Sequence, residues 1–212
     1  MTTALIESLV ARAAPVRRLP SSWLRAAQWL AFAAAMLAVF SLSHAFRYNI
    51  EHCLRAPLWL AMCLGAVGTA ALAAFAALEL GVPGRSRLWA LLPTPTLAVW
   101  VLAIVTRDRW VGIARDALGW SGIADCLATV VLIGVPLGIA MAIMLRRAAV
   151  LQPALTAALG GIAVGGVVSA ALHIFHPLHA TLWLVLSNAG VAALFAGLGL
   201  LIAPRLLAPT AR

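Results

Sequence analysis

The 212-residue chain reads as an all-α polytopic membrane protein, a bundle of six transmembrane helices with its N- and C-termini in the cytoplasm. Three observations predict this. Six continuous apolar stretches each approach the ~20 residues that a helix needs to cross a bilayer. Hydrophobic residues make up 64% of the chain and charged residues 10%, with a mean hydropathy of +1.04; an ordinary soluble domain carries roughly 25% charged residues. The apolar runs are unbroken and do not alternate with period two, which selects helices over barrel strands. The division that follows is a cytoplasmic N-terminal tail over 1–25, a transmembrane domain over 26–203 and a cytoplasmic C-terminal tail over 204–212.

Arginine placement sets the orientation. All 15 basic residues are arginine. Ten of them, Arg12, Arg17, Arg18, Arg25, Arg85, Arg87, Arg146, Arg147, Arg205 and Arg212, fall on one face of an up-and-down bundle. Arg47, Arg55, Arg107, Arg109 and Arg115 fall on the other, diluted by Glu51, Asp108, Asp116 and Asp125. The positive-inside rule makes the ten-arginine face cytoplasmic. The net charge of +9 is then a topological signal and implies membrane lipids, not nucleic acid, as the direct contact.

Taken in order, the tail offers a short amphipathic helix. Leu5 with Leu9, and Ile6 with Val10, stand at i, i+4 and share a face with Ala13, while Thr2 or Thr3 can cap it. That stripe either lies on the membrane surface or enters a partner's groove. A proline-punctuated basic segment, Pro15-Val16-Arg17-Arg18-Leu19-Pro20, leads into the first span at 26–46. With Arg17, Arg18 and Arg25 ahead of it this span resembles a signal peptide, but its apolar core is too long for one and five more spans follow, so it is read as retained.

The second span, 58–80, carries Glu79 at its cytoplasmic end. It turns through Val82-Pro83-Gly84-Arg85-Ser86-Arg87, a Pro-Gly hairpin, into the third span at 88–106. Beyond the loop at 107–122, the fourth span, 123–145, contains Pro136, which bends a membrane helix either structurally or for gating. The fifth, 153–175, holds Gly160-Gly161 and Gly165-Gly166; Gly161 and Gly165 have the small-xxx-small spacing of close helix packing. The sixth runs over 180–203.

Chemistry inside the spans is sparse. Intramembrane charges mark carriers and proton relays, and here Glu79, His44, Asp125 and His173 all fall near span ends. No nucleophile, base and acid come together in the pattern, so no enzyme activity and no cofactor are expected. The outward mouth is richer. His173, His176 and His179 recur every three residues and read either as a weak metal site or as anchors of a short hairpin broken by Pro177. Cys53 and Cys126 both fall on the outward side, where a disulfide can form, or stand as independent small residues; Cys63 lies within the second span.

These features in order resemble the NrsF-like negative regulators of extracytoplasmic-function sigma factors, a six-span family of the bacterial inner membrane. The resemblance covers essentially the whole chain. It rests on Pro15 to Pro20, Val82 to Arg87, Asp125-Cys126 with Pro136, Arg146-Arg147-Ala148 followed by Pro153, and Leu172-His173. It implies a membrane-bound anti-sigma factor whose cytoplasmic tail sequesters the sigma factor, with Leu5, Ile6, Leu9, Val10, Arg17 and Arg18 as the partner-binding residues. It also implies that outward thiols govern a stress response to oxidants or metals. Cys126 matches the family's cysteine, whereas Ile174 stands where the second is expected and Ser187-Asn188 replaces a Trp-His pair. Cys53 is left as the replacement partner. A small multi-pass transporter or channel-like protein is the alternative.

Overall fold

The computed structural model describes Glu7 and residues 20–43, 57–111, 120–148, 152–175, 190, 193–198 and 200–201, without the side chains of 43, 107–111 and 120–126. Five long helices account for most of them: α1 (Ser22–Ser43), α2 (Pro57–Leu80), α3 (Thr94–Val111), α4 (Trp120–Arg146) and α5 (Pro153–Phe175). A 3-10 turn, Arg87–Leu91, precedes α3. No strand occurs among the described residues, and five segments are long and apolar enough to cross a membrane. The multi-pass, all-helical architecture expected from the sequence is what the chain adopts. Of the sixth span, 193–198 is helical; the rest lies largely outside the described residues.

Because every span is apolar all round, polarity cannot choose the inward face. In α2 side-chain size largely does, whereas α1 and α4 turn Trp29, Phe40, Ile133, Leu137 and Met141 inward. Lipid tails are as apolar as leucine, so helices associate where small residues let backbones approach. In α2 the interior face is Ala66, Ala70, Ala73, Ala74 and Ala77, whereas Leu64 and Val67 are exposed; in α4, Val131, Leu132, Val135, Ile139 and Ile143 face outward. The helix richest in small residues becomes the axis. Buried positions make up 83% of the apolar core of α5, against 50% for α2 and 22% for α1.

Around that axis α1, α2 and α4 enclose one core, with Trp29, Leu78, Ile133, Leu137, Val164, Val168 and Leu172 at its centre. On the far side of α2, α3 closes a second core of Met62, Ala66, Trp100, Ala103, Ile104 and Ala170. The approach of α2 to α3 depends on Gly65, where a Cβ would lie 2.7 Å from Trp100 Cβ. Beside it Thr69 Oγ1 donates to the Gly65 carbonyl (2.7 Å) and lies 3.3 Å from Thr96 Oγ1. Gly134 of α4 and Gly161 of α5 receive the helical stretch around Phe195 and Ala196, which has no room for a Cβ at either position. The glycines of the fifth span therefore do serve packing.

The third span is not one helix. Ser86 Oγ accepts the Leu88 N–H (3.2 Å) and starts the 3-10 turn. Pro93 then intervenes, its carbonyl accepting from Leu97 as α3 begins. Helix ends also depart from the apolar runs: α1 begins at Ser22, four residues before the run at Ala26, because Ser21 caps it, its Oγ accepting from the Leu24 N–H (3.4 Å).

Candidate functional site

The alternation of the helices gathers the polar groups at two ends. At the arginine-rich end stand the start of α1, the finish of α2 with its loop, and the last turn of α4. Arg25, one turn into α1, is 4% exposed, and its Nη2 donates to the Met144 carbonyl at 3.1 Å. That carbonyl is among the last four of α4, which have no partner within the helix and carry its negative dipole end. The other amino group, Nη1, is buried with no hydrogen-bond partner among the described residues. One turn further along α1, the fully buried Trp29 donates from Nε1 to the Leu137 carbonyl at 3.2 Å. Two side chains thus tie α1 to main-chain carbonyls of α4.

Glu79, in the last turn of α2, is buried and paired with Arg85 Nε at 2.9 Å, while Arg85 itself is half in water. Its carboxylate also attracts Arg25 electrostatically. The loop between them is compact because Gly81 and Val82 donate back to the Ala77 and Glu79 carbonyls, and Gly84 takes a left-handed φ of 85°, which a residue with a Cβ adopts at a cost. Trp23, Phe75 and Trp89 stack edge to face at 5.9 and 5.7 Å across α1, α2 and the 3-10 turn. Trp23 is largely exposed, as suits an aromatic ring at a membrane boundary.

At the opposite end, Phe40 meets Phe175 at 5.1 Å and Trp59 meets His173 at 5.6 Å. His173 is fully buried, and its Nδ1 donates to the Ser169 carbonyl one turn back on α5. This geometry makes His173 a packed interior residue, with one ring nitrogen committed to the backbone. Among the described residues no group of three His, Cys, Asp or Glu could hold a metal ion.

Of the residues that sequence reasoning selected, Leu5, Ile6, Leu9, Val10, Arg17, Arg18, Cys53, His176 and His179 lie outside the described residues. Cys126 lies in the second turn of α4, with its side chain outside them. Cys63 is half-buried in α2. Arg25 and Trp29 were not selected. Arg25 reads as one more flanking arginine, and only its place inside the helix, after a serine cap, signals otherwise.

A family model described as NrsF, negative regulator of sigma F, matches residues 9–208. No curated protein and no solved structure matches the chain.

Proposed function

The chain belongs to the NrsF family of negative regulators of sigma F, and from that membership we propose that it is a membrane-bound anti-sigma factor of the bacterial inner membrane. In this reading the ten-arginine face is cytoplasmic, and the N-terminal tail sequesters a sigma factor of the extracytoplasmic-function class until stress releases it. The observation that carries the reading is the extent of the match. It starts inside the tail and takes in Leu9, Val10, Arg17 and Arg18 together with every span, leaving only Leu5 and Ile6 of the selected tail residues ahead of it. Tail and bundle are matched as one unit. The amphipathic stripe then docks in an apolar groove of the sigma factor, with Arg17 and Arg18 meeting acidic groups at its rim. Cys126 and Cys53 are the thiols through which an oxidant would act on the outward side.

The test is the pair Leu5→Asp and Leu9→Asp in the full chain. A carboxylate buried in an apolar groove without a partner costs several kcal/mol, so the variant should insert normally, lose co-purification of the sigma factor and switch on its target genes. Retained co-purification with silent targets would remove the tail as the binding element and leave its stripe to the lipid surface.

A further inference from the structure

The geometry points to the seam between α1 and α4, closed by Arg25 and Trp29, as the element through which a change in α4 repositions α1 and with it the N-terminal tail. This rests on the regulatory reading above, to which it adds the link between tail and bundle.

Three observations carry it. Arg25 and Trp29 are one turn apart on α1, and their acceptors, Met144 and Leu137, follow in antiparallel order on α4. Both donors are side chains and both acceptors main chain, so the bonds report where the α4 backbone is, whatever side chains it carries. Next, the Leu137 acceptor directly follows Pro136, inside α4. Proline has no N–H for the carbonyl four residues back and its ring crowds that carbonyl, so this is where α4 bends most easily. Trp29 grips α4 on the arginine-rich side of that point, and a change of bend moves its acceptor.

The third observation is the unequal hold at the two bonds. Trp29 is fully buried with its single donor satisfied. Arg25 has one amino group on Met144 and a second, buried, with no hydrogen-bond partner among the described residues, while Glu79, whose charge attracts it, is engaged by Arg85. The Glu79 charge already draws Arg25, so a shift of α4 that breaks the Met144 bond turns Arg25 toward it. Two discrete arrangements of one buried cation are what an all-or-none coupling requires.

A double-mutant cycle tests this in the full-length protein in membranes. Ser22, buried at the start of α1, is replaced by cysteine in a chain whose Cys53, Cys63 and Cys126 are serine, and its rate of maleimide labelling is read alone and with Trp29→Phe, Pro136→Ala, or both. Trp29→Phe keeps an aromatic ring and removes the donor; labelling should rise about fivefold, the factor that corresponds to one net hydrogen bond. Pro136→Ala should change the rate when Trp29 is present and lose that effect with Trp29→Phe. Additive effects, or no effect of either change alone, would overturn the seam. If Trp29→Phe does not accumulate, Arg25→Lys, which keeps the charge and loses the forked reach to Met144, replaces it in the same cycle.

Sigma-dependent transcription is measured with the same Trp29 and Pro136 changes in a chain that keeps Ser22, Cys53, Cys63 and Cys126. Coupled labelling without any change in transcription would keep the seam and sink the regulatory reading. Additive labelling, with the Leu5 and Leu9 variants still releasing the sigma factor, would do the reverse.

Discussion

Replacing Gly65 by alanine adds one methyl group where α2 and α3 have no space for it. The new Cβ would lie 2.7 Å from Trp100 Cβ and 2.8 Å from Trp100 Cα, whereas ordinary contact starts at 3.4 Å. The obstacle is the root of a side chain and its backbone, so no rotamer change relieves it, and α3 has to retreat. Overpacking of this kind costs about 1–3 kcal/mol. Alanine regains about 0.8–1.0 kcal/mol over glycine within a helix, which leaves a net loss of about 0–2 kcal/mol for Gly65→Ala and a difference of about 1–3 kcal/mol from a substitution that gains propensity without a clash. Gly138 supplies the control, because a Cβ there meets nothing within 4 Å. Gly138→Ala should be neutral or stabilising, and the difference between the two variants removes the helix-propensity contribution. The assay is reversible unfolding in mixed micelles by titration with sodium dodecyl sulfate, followed by tryptophan fluorescence. If Gly65→Ala proves as stable as Gly138→Ala, the close approach of α2 to α3 is refuted.

The same titration tests the arginine-rich end. Glu79→Gln keeps the side-chain volume but removes the charge facing Arg85 and Arg25, and should cost about 1.5–3 kcal/mol, the range of a hydrogen bond to a charged group. Arg85→Ala leaves the buried carboxylate without its ion-pair partner and should cost at least about 1 kcal/mol; no loss from either change would contradict the pairing of a buried Glu79. Reporter fusions after Arg87 and Arg147 should lie on one side of the membrane, and fusions near Cys53, Arg115 and His179 on the other. A mixed pattern would remove the alternation of the spans.

The sequence was most legible where one physical quantity dominates. Hydrocarbon thickness sets the length of an apolar run, so the five described spans stood out, and the turn chemistry of Pro83-Gly84 marked the hairpin after α2. Interior faces were less legible because they are set by packing among residues of nearly equal hydropathy: α2 turns alanines inward and Leu64 outward, whereas α4 turns Ile133 and Leu137 inward and Val131 and Leu132 outward. The break in the third span at Pro93 was written in the chain, yet an apolar run passes straight through it. Arg25 shows the limit most clearly. An arginine ahead of a span is the usual topological flank, and its burial depends on a carbonyl 119 residues away, which no local pattern announces. The tail and the outward thiols, where the candidate partner and sensing sites were placed, rest on resemblance and family membership.

The placement of α5 also has a consequence for biosynthesis. The most deeply buried helix is the fifth of those described, so α2 and α4, which pack most closely on it, enter the membrane before it exists. At about 5–20 residues per second, the interval between synthesis of α1 and completion of α5 is roughly 7–27 s. During that interval the apposed alanine and glycine faces have only each other or lipid, and Trp29 and Arg25 meet α4 without the axis that fixes its position. The seam between α1 and α4 is therefore complete only when Pro153–Phe175 has slotted in.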